Sequence, residues 1–161
     1  MATPTNLPAA QTTGNVLTAA WVNDLRGAFR IMQVVQGTTT TSVTSSSSTY
    51  VDTGITATIT PQSSTSKILV FISASPYSLT AGTGGGLRVY RDSTLLQQFT
   101  DVAYNSGGSN LIGFSTMALD SPSSTSAIVY KMQQNRSIGA GSFFTQVNSN
   151  PGTIILMEVS A

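Results

Sequence analysis

A mainly β fold, an antiparallel sandwich preceded by an extended arm and one short α-helix, is what this sequence predicts. Three observations carry that reading. From residue 36 to residue 161 the chain holds about eight or nine short apolar or alternating runs separated by Ser, Thr, Gly and Pro. None of the intervening stretches has the length or periodicity of a crossover helix, so the strands must pair antiparallel, as in a jelly-roll sandwich or barrel. Helical period is confined to residues 15–35. The chain therefore divides into an arm (1–14), a helix with its connector (15–35) and a β knob (36–161).

The arm holds Pro4 and Pro8 among scattered Thr and Gln, a pattern expected to be extended and to order on a partner. Asn15 is placed to N-cap the helix by accepting from its first free amides. Trp21, Leu25, Phe29 and Met32 then recur at spacings of 4, 4 and 3, one apolar seam on one helix face. Gly27 costs about 1 kcal/mol relative to Ala and limits the helix. Arg26 and Arg30 stand four apart, off the seam, and mildly repel each other, a pair that reads as solvated or as able to meet an acidic partner. Past Arg30, the residues Ile31, Val34 and Val35 suit a strand as well as a helix. The seam has two possible covers, the chain's own β domain or a bundle between subunits.

Residues 38–49 are rich in hydroxyls and read as a linker or edge strand. Residues 50–60 alternate, with Val51, Ile55, Ala57 and Ile59 on one face and a bend at Gly54. Residues 67–75, KILVFISAS, are apolar on both faces and belong in the middle of a sheet. Residues 76–86 read as a loop whose Gly-rich end lacks the Lys-Ser/Thr of a phosphate loop. Residues 87–91 and 94–99 form a hairpin about Asp92-Ser93. A second loop follows at 101–110, then strands at 111–119 and 127–133, a third loop at 134–141, and strands at 142–147 and 153–159. The last is apolar on both faces, hence central in a sheet or at a subunit interface.

Charged residues make up 8% of the chain, against a usual value of about 25%. Neither sign clusters, which gives no footprint for nucleic acid or an anionic membrane. The longest apolar run is far below the ~20 residues of a membrane helix. Polarity is carried instead by 24 Thr and 23 Ser. There is no Cys and no His, which removes disulfides, thiolate or imidazole metal sites and the commonest general base, so no cofactor or metal is expected. A carboxylate pair for glycoside hydrolysis would have to be assembled by the fold from Asp52, Asp92, Asp101, Asp120 and Glu158. Asp52, Asp92 and Asp120 sit beside Ser or Thr and read as turn caps. An enzyme is not expected. The candidate binding equipment is Tyr77, Tyr104, Asn105, Asn135 and Arg136, set among glycines in the three loops, where aromatic faces and amides could grip a sugar or another protein.

Two stretches carry a resemblance. VLTAAWVNDLRGAF (16–29) resembles the short helix near the N-terminus of many tailed-phage fibre and appendage proteins. STYVDTGITATITPQSSTSKILV (48–70), LRVYRDSTLL (87–96), LDSPSSTSAIVYKMQ (119–133) and TIILMEVSA (153–161) resemble a β domain recurrent in phage structural proteins, akin to the jelly roll of tumour necrosis factor and complement heads. The resemblance implies a tailed-bacteriophage virion protein, made in the host cytoplasm and forming a homotrimer. Other virion proteins would hold it through residues 1–35, with Trp21, Leu25, Phe29, Arg26 and Arg30 as the assembly and anchoring residues. The implied role is a short tail fibre or fibre tip touching the host. Alternatives are a capsid decoration protein or head fibre and, less favoured, a glycan depolymerase. No nucleic-acid partner and no membrane insertion are expected.

Overall fold

The computed structural model describes residues 31–160. The arm and the helical residues Trp21, Leu25, Arg26, Phe29 and Arg30 lie outside the described residues. Twelve strands follow in order: β1 (Ile31–Thr39), β2 (Val43–Ser45), β3 (Val51–Ile59), β4 (Lys67–Ala74), β5 (Tyr77–Ser78), β6 (Thr83–Arg91), β7 (Thr94–Asn105), β8 (Asn110–Leu111), β9 (Phe114–Asp120), β10 (Ile128–Ile138), β11 (Phe143–Thr145) and β12 (Gly152–Val159). A single 3-10 turn, Val147–Ser149, precedes β12.

The pairing is nested. Strand β6 pairs with β7, β5 with β8, β4 with β9, β3 with β10, β2 with β11 and β1 with β12, all antiparallel. The chain is thus one long hairpin folded at the Asp92-Ser93 turn. Rolling that ribbon adds the pairings β12–β4, β11–β5 and β10–β6. The result is a jelly roll: a first sheet β1-β12-β4-β9, a second sheet β3-β10-β6-β7, and a small end sheet β2-β11-β5-β8.

The two large sheets bury alternate residues against each other. Ile68, Val70, Ile72, Ile154 and Leu156 of the first sheet meet Ile55, Ile59, Leu87, Val89, Tyr130 and Met132 of the second. Strands β4 and β12 are central in the first sheet, as their two-sided apolar sequences predict. The bend at Gly54 is present: its φ is 79°, and the β3–β10 register shifts beside it. Beyond that bulge Thr53, not Val51, faces inward, and its hydroxyl donates to the Met132 carbonyl (2.8 Å). Val51 is exposed instead.

Several boundaries differ from the sequence reading. Residues 31–35, assigned to the helix and its connector, are the start of β1. Their backbone pairs with β12, which sets Met32 in a strand rather than on a helix face. The Gly-rich residues 83–86 are not a loop but the buried first half of β6. Glycine is needed there for packing. A Cβ on Gly85 would stand 2.3 Å from the Phe143 ring, and one on Gly86 2.5 Å from Asn135 Oδ1. The loops at 101–110 and 134–141 likewise give up their first halves to β7 and β10. Residues Asp101 and Ala103, both at positive φ, let β7 bulge as it follows β6.

Register also gives the molecule two distinct ends. Ile31 opposes Val159, and Lys67 pairs with it on the other side, so residues 1–30 join the sandwich at the end bearing the 60–66 turn and the β6–β7 hairpin tip. The end sheet and the start of β6 lie at the opposite end.

Candidate binding surface

The sequence-predicted binding residues all fall at the end remote from the N-terminal entry, but they do not play one role. Asn105 and Asn135 are buried. Asn105 donates from Nδ2 to the Ser78 carbonyl (3.3 Å) and to the Gly108 carbonyl, and its Oδ1 accepts from the Gly107 amide (2.9 Å). Asn135 donates to the Ser48 carbonyl (2.8 Å) and accepts from the Gly86 amide (3.0 Å). Both side chains are spent on the backbone, since a buried amide left unpaired costs about 1–3 kcal/mol. Expected from the sequence as exposed contact residues, both are buried and tie strand ends to neighbouring backbone.

Arg136 is half-buried. Its backbone amide donates to the Ser47 carbonyl (2.9 Å) and its guanidinium to the Gly141 carbonyl (3.3 Å). Tyr77 is half-buried, with its ring tilted 47° against Phe144 at 5.8 Å between centroids. Tyr104 is 46% exposed. Its ring and backbone border Gly84 on one side while Ile138 borders it on the other, because Gly84 has no side chain to separate them. The fold adds Leu79, Leu111 and Ile138, all exposed at this end. Sequence reasoning passed over them because single apolar residues inside polar stretches have no periodic signal.

The distal end also encloses polar atoms without protein partners. Ser78 Oγ, Gln134 Oε1, Thr145 Oγ1 and both amide atoms of Gln146 are buried and unpaired. Backbone register brings three of these residues together: Ser78 pairs with Phe143, Thr145 pairs with Val43, and Gln134 Nε2 donates to the Val43 carbonyl (2.9 Å).

The carboxylates are engaged one by one. Asp120 accepts both from Arg91 (2.8 and 2.9 Å) and from the buried Tyr130 hydroxyl (2.7 Å). Asp52 accepts from Gln133 (2.7 Å) and Lys131 (3.1 Å). Asp92, in the hairpin turn at φ 48°, caps the Val129 amide (3.0 Å), and Asp101 accepts from Ser137 (2.9 Å). Glu158 is fully buried. It accepts from the Gln62 and Ser63 amides (2.8 and 3.3 Å) and from Gln33 (2.5 Å). Of the three predicted turn caps, Asp92 is in a turn; Asp52 and Asp120 lie in strands and make ion pairs.

Burial raises the pKa of Glu158, but the hydrogen bonds from Gln33, Ser66 and the two amides outweigh it and hold the carboxyl below its usual range. Asp52 balances the same way, burial against Gln133 and Lys131, and also ends low. Burial, followed by the bond to Asp120, pushes Tyr130 well above the usual phenol range. Among the described residues no group of three or more Asp or Glu could hold a metal ion. None of their helices is long and apolar enough to cross a membrane.

Nested pairing, two four-stranded sheets and a common core define the chain as an antiparallel jelly-roll domain. No protein-family model matches it, and a search of curated proteins finds no match. Among solved structures, the chain resembles the one titled "D431N Mutant VP2 Protein of Infectious Bursal Disease Virus; Derived T=1 Particles". The TM-score is 0.43 at 17% identity, over 81% of this chain and 37% of that one. It also resembles "Structure of infectious bursal disease virus Gt strain", with TM-score 0.44 and 15% identity over 81% of this chain and 39% of that one. The chain spans under two fifths of the length of either. Fits of this quality are a likeness between β domains and carry no functional weight.

Proposed function

We propose that the protein is a structural component of a tailed-phage virion, a short tail fibre or fibre tip that works as a homotrimer. Residues 1–35 mount it on the particle, and the opposite end of the jelly roll meets the host surface. The observation that carries this reading is the polarity of the fold. The segment resembling a phage appendage helix enters at one end, while Tyr77, Tyr104, Arg136 and the exposed Leu79, Leu111 and Ile138 gather at the other. A mounted contact module needs that separation, because a docking surface beside the anchor would be shielded by the particle. Trp21, Leu25 and Phe29 supply the apolar side of the mount, and Arg26 and Arg30 its charged side. The acids among the described residues, each tied to a partner within the sandwich, serve structure in this reading, not catalysis.

Antibody labelling of intact particles tests the proposal. Label at the tail with saturable binding of purified protein to host cells is expected, and Tyr104→Ala should weaken that binding without lowering Tm. Label confined to the shell would replace the fibre-tip reading with a capsid decoration protein. Trp21→Ser should leave the sandwich folded yet reduce incorporation into particles; normal incorporation would remove residues 15–30 from the mount.

A further inference from the structure

The outer face of the second sheet carries a row of polar side chains that crosses all its strands. Register sets Asp52 of β3 beside Gln133 of β10, Gln133 beside Arg88 of β6, and Arg88 beside Gln98 of β7. Leu87 and Val89, on either side of Arg88, are buried in the core, so Arg88 faces outward. Three of the four cations in this sheet's strands are engaged within the sandwich. Arg91 meets Asp120, Lys131 meets Asp52, and Arg136 donates to the Gly141 carbonyl. Arg88 meets no carboxylate among the described residues. It is nevertheless held in place. Its guanidinium carbon stands 3.6 Å from the centre of the Tyr50 ring, and its Nε donates to Gln98 Oε1 at 3.0 Å. The ring fits there because Gly86 has no side chain: a Cβ would stand 2.6 Å from the Tyr50 hydroxyl. Asn135 fixes the approach, donating to the Ser48 carbonyl just before Tyr50 and accepting from the Gly86 amide. Nη1 lies 3.5 Å from the Tyr90 hydroxyl, past the usual length of a hydrogen bond, and Nη2 has no partner. The forked end of a fixed guanidinium is thus unspent.

We propose that Arg88 is the centre of a binding site for a carboxylate-bearing saccharide on the flank of the roll, between its two ends. A guanidinium fork matches a planar carboxylate through two parallel N–H···O bonds. Stacking on Tyr50 restricts the side chain beforehand, so less ordering is left for the ligand to impose. Lys131 neutralises Asp52, which leaves the row with a net positive charge at Arg88. The surroundings favour a sugar over an acidic peptide. Strand β6 is an inner strand, its backbone paired with β10 on one side and β7 on the other. A peptide laid across it would find no free ladder, and peptides that add to sheets do so at an edge. Sugar hydroxyls need only side-chain partners, and Gln98, Gln133 and Tyr90 supply amides and a hydroxyl around the fork. Gln133 is steadied by its bond to Asp52 (2.7 Å), which occupies Nε2 and leaves Oε1 to accept. This site is separate from the distal end and does not depend on the fibre-tip reading.

The full-length chain is to be titrated by calorimetry with polygalacturonate, hyaluronan and polysialic acid, each beside its carboxyl-reduced form. At least one acid is expected to bind saturably, with its reduced form weaker by about tenfold or more. Arg88→Lys keeps the charge but loses the fork and the stack. It should weaken that binding by a similar factor while its thermal melt stays cooperative. If Arg88→Lys fails to fold, Gln98→Ala serves in its place: Gln98 is exposed, and losing it frees Arg88 Nε and should also weaken the acid. Saturable binding of none of the three acids would overturn the site. So would an acid bound as tightly by Arg88→Lys, or by Gln98→Ala, as by wild type. An oligoglutamate peptide that binds as well as the best sugar acid, and is lost in Arg88→Lys, would overturn the saccharide and leave a bare carboxylate site. None of these results touches the fibre-tip reading, which particle labelling and Tyr104→Ala decide separately.

Discussion

Gly85 shows how one residue without a side chain can decide the packing around it. The Phe143 ring lies against its backbone, where a Cβ would stand 2.3 Å from the ring. Phe143 is fully buried in β11 and Gly85 is paired in β6, so neither can step aside without opening its own strand's pairing. Gly85→Ala should therefore lower stability by about 1–3 kcal/mol through overpacking, measured by urea denaturation. A loop glycine would tolerate the same change, and a neutral result would return residues 83–86 to the loop that their composition suggests. Asn105 and Asn135 teach the complementary lesson. A polar residue beside glycines reads as a contact residue, yet here each side chain bonds backbone that would otherwise be buried unpaired.

Three junctions between elements rest on ionisable groups, which gives stability a pH dependence with two limbs. Glu158 ties β12 to the 60–66 turn and, through Gln33, to β1. Its folded pKa is depressed, as is that of Asp52 between β3 and β10. Their stabilisation is full above the unfolded carboxyl values of about 4 and is lost as pH falls through the lower folded values. Tyr130 of β10 bonds Asp120 of β9, joining the two sheets, and its pKa is raised. That contribution is full below the unfolded phenol value of about 10 and is lost as pH climbs beyond it toward the folded value. Tm followed across pH should be flat between about 5 and 9 and fall on both sides. Glu158→Gln should lower the plateau and flatten the acid limb; Tyr130→Phe should flatten the alkaline limb. An acid limb unchanged by Glu158→Gln would show that other carboxyls set it.

The whole molecule is a ribbon that must close from its tip. Strands β6 and β7 are joined by a two-residue turn, whereas β1 and β12 bring Ile31 to Val159. Non-local pairing of this kind is closed at an entropic cost before it is rewarded, so refolding should take milliseconds to seconds and not microseconds. Stopped-flow refolding monitored by far-ultraviolet circular dichroism checks this, and a microsecond burst recovering the full native signal would contradict the nested topology. At this scale the two distinct ends also emerge, one where residues 1–30 join the sandwich and one bearing the end sheet, a property of the roll rather than of any strand.

What the sequence by itself determined is the local pattern. The alternation at 50–60, the two-sided apolar runs that became β4 and β12, and the Asp92-Ser93 hairpin all follow from side-chain period and turn chemistry, which act over a few residues. The antiparallel class followed as well, since nothing between the strands could make a crossover. The tertiary structure alone decided which strands are neighbours, and with that which face each outward residue joins. Met117 and Leu119 in one strand, Val34 in another and Met157 in a third look like ordinary scattered apolar residues until register sets them on one surface. The same register made strand of the glycines at 84–86 and structure of Asn135, because a neighbour's ring or backbone far along the chain, 87 residues away for Asn135 and Ser48, supplies what the local sequence lacks.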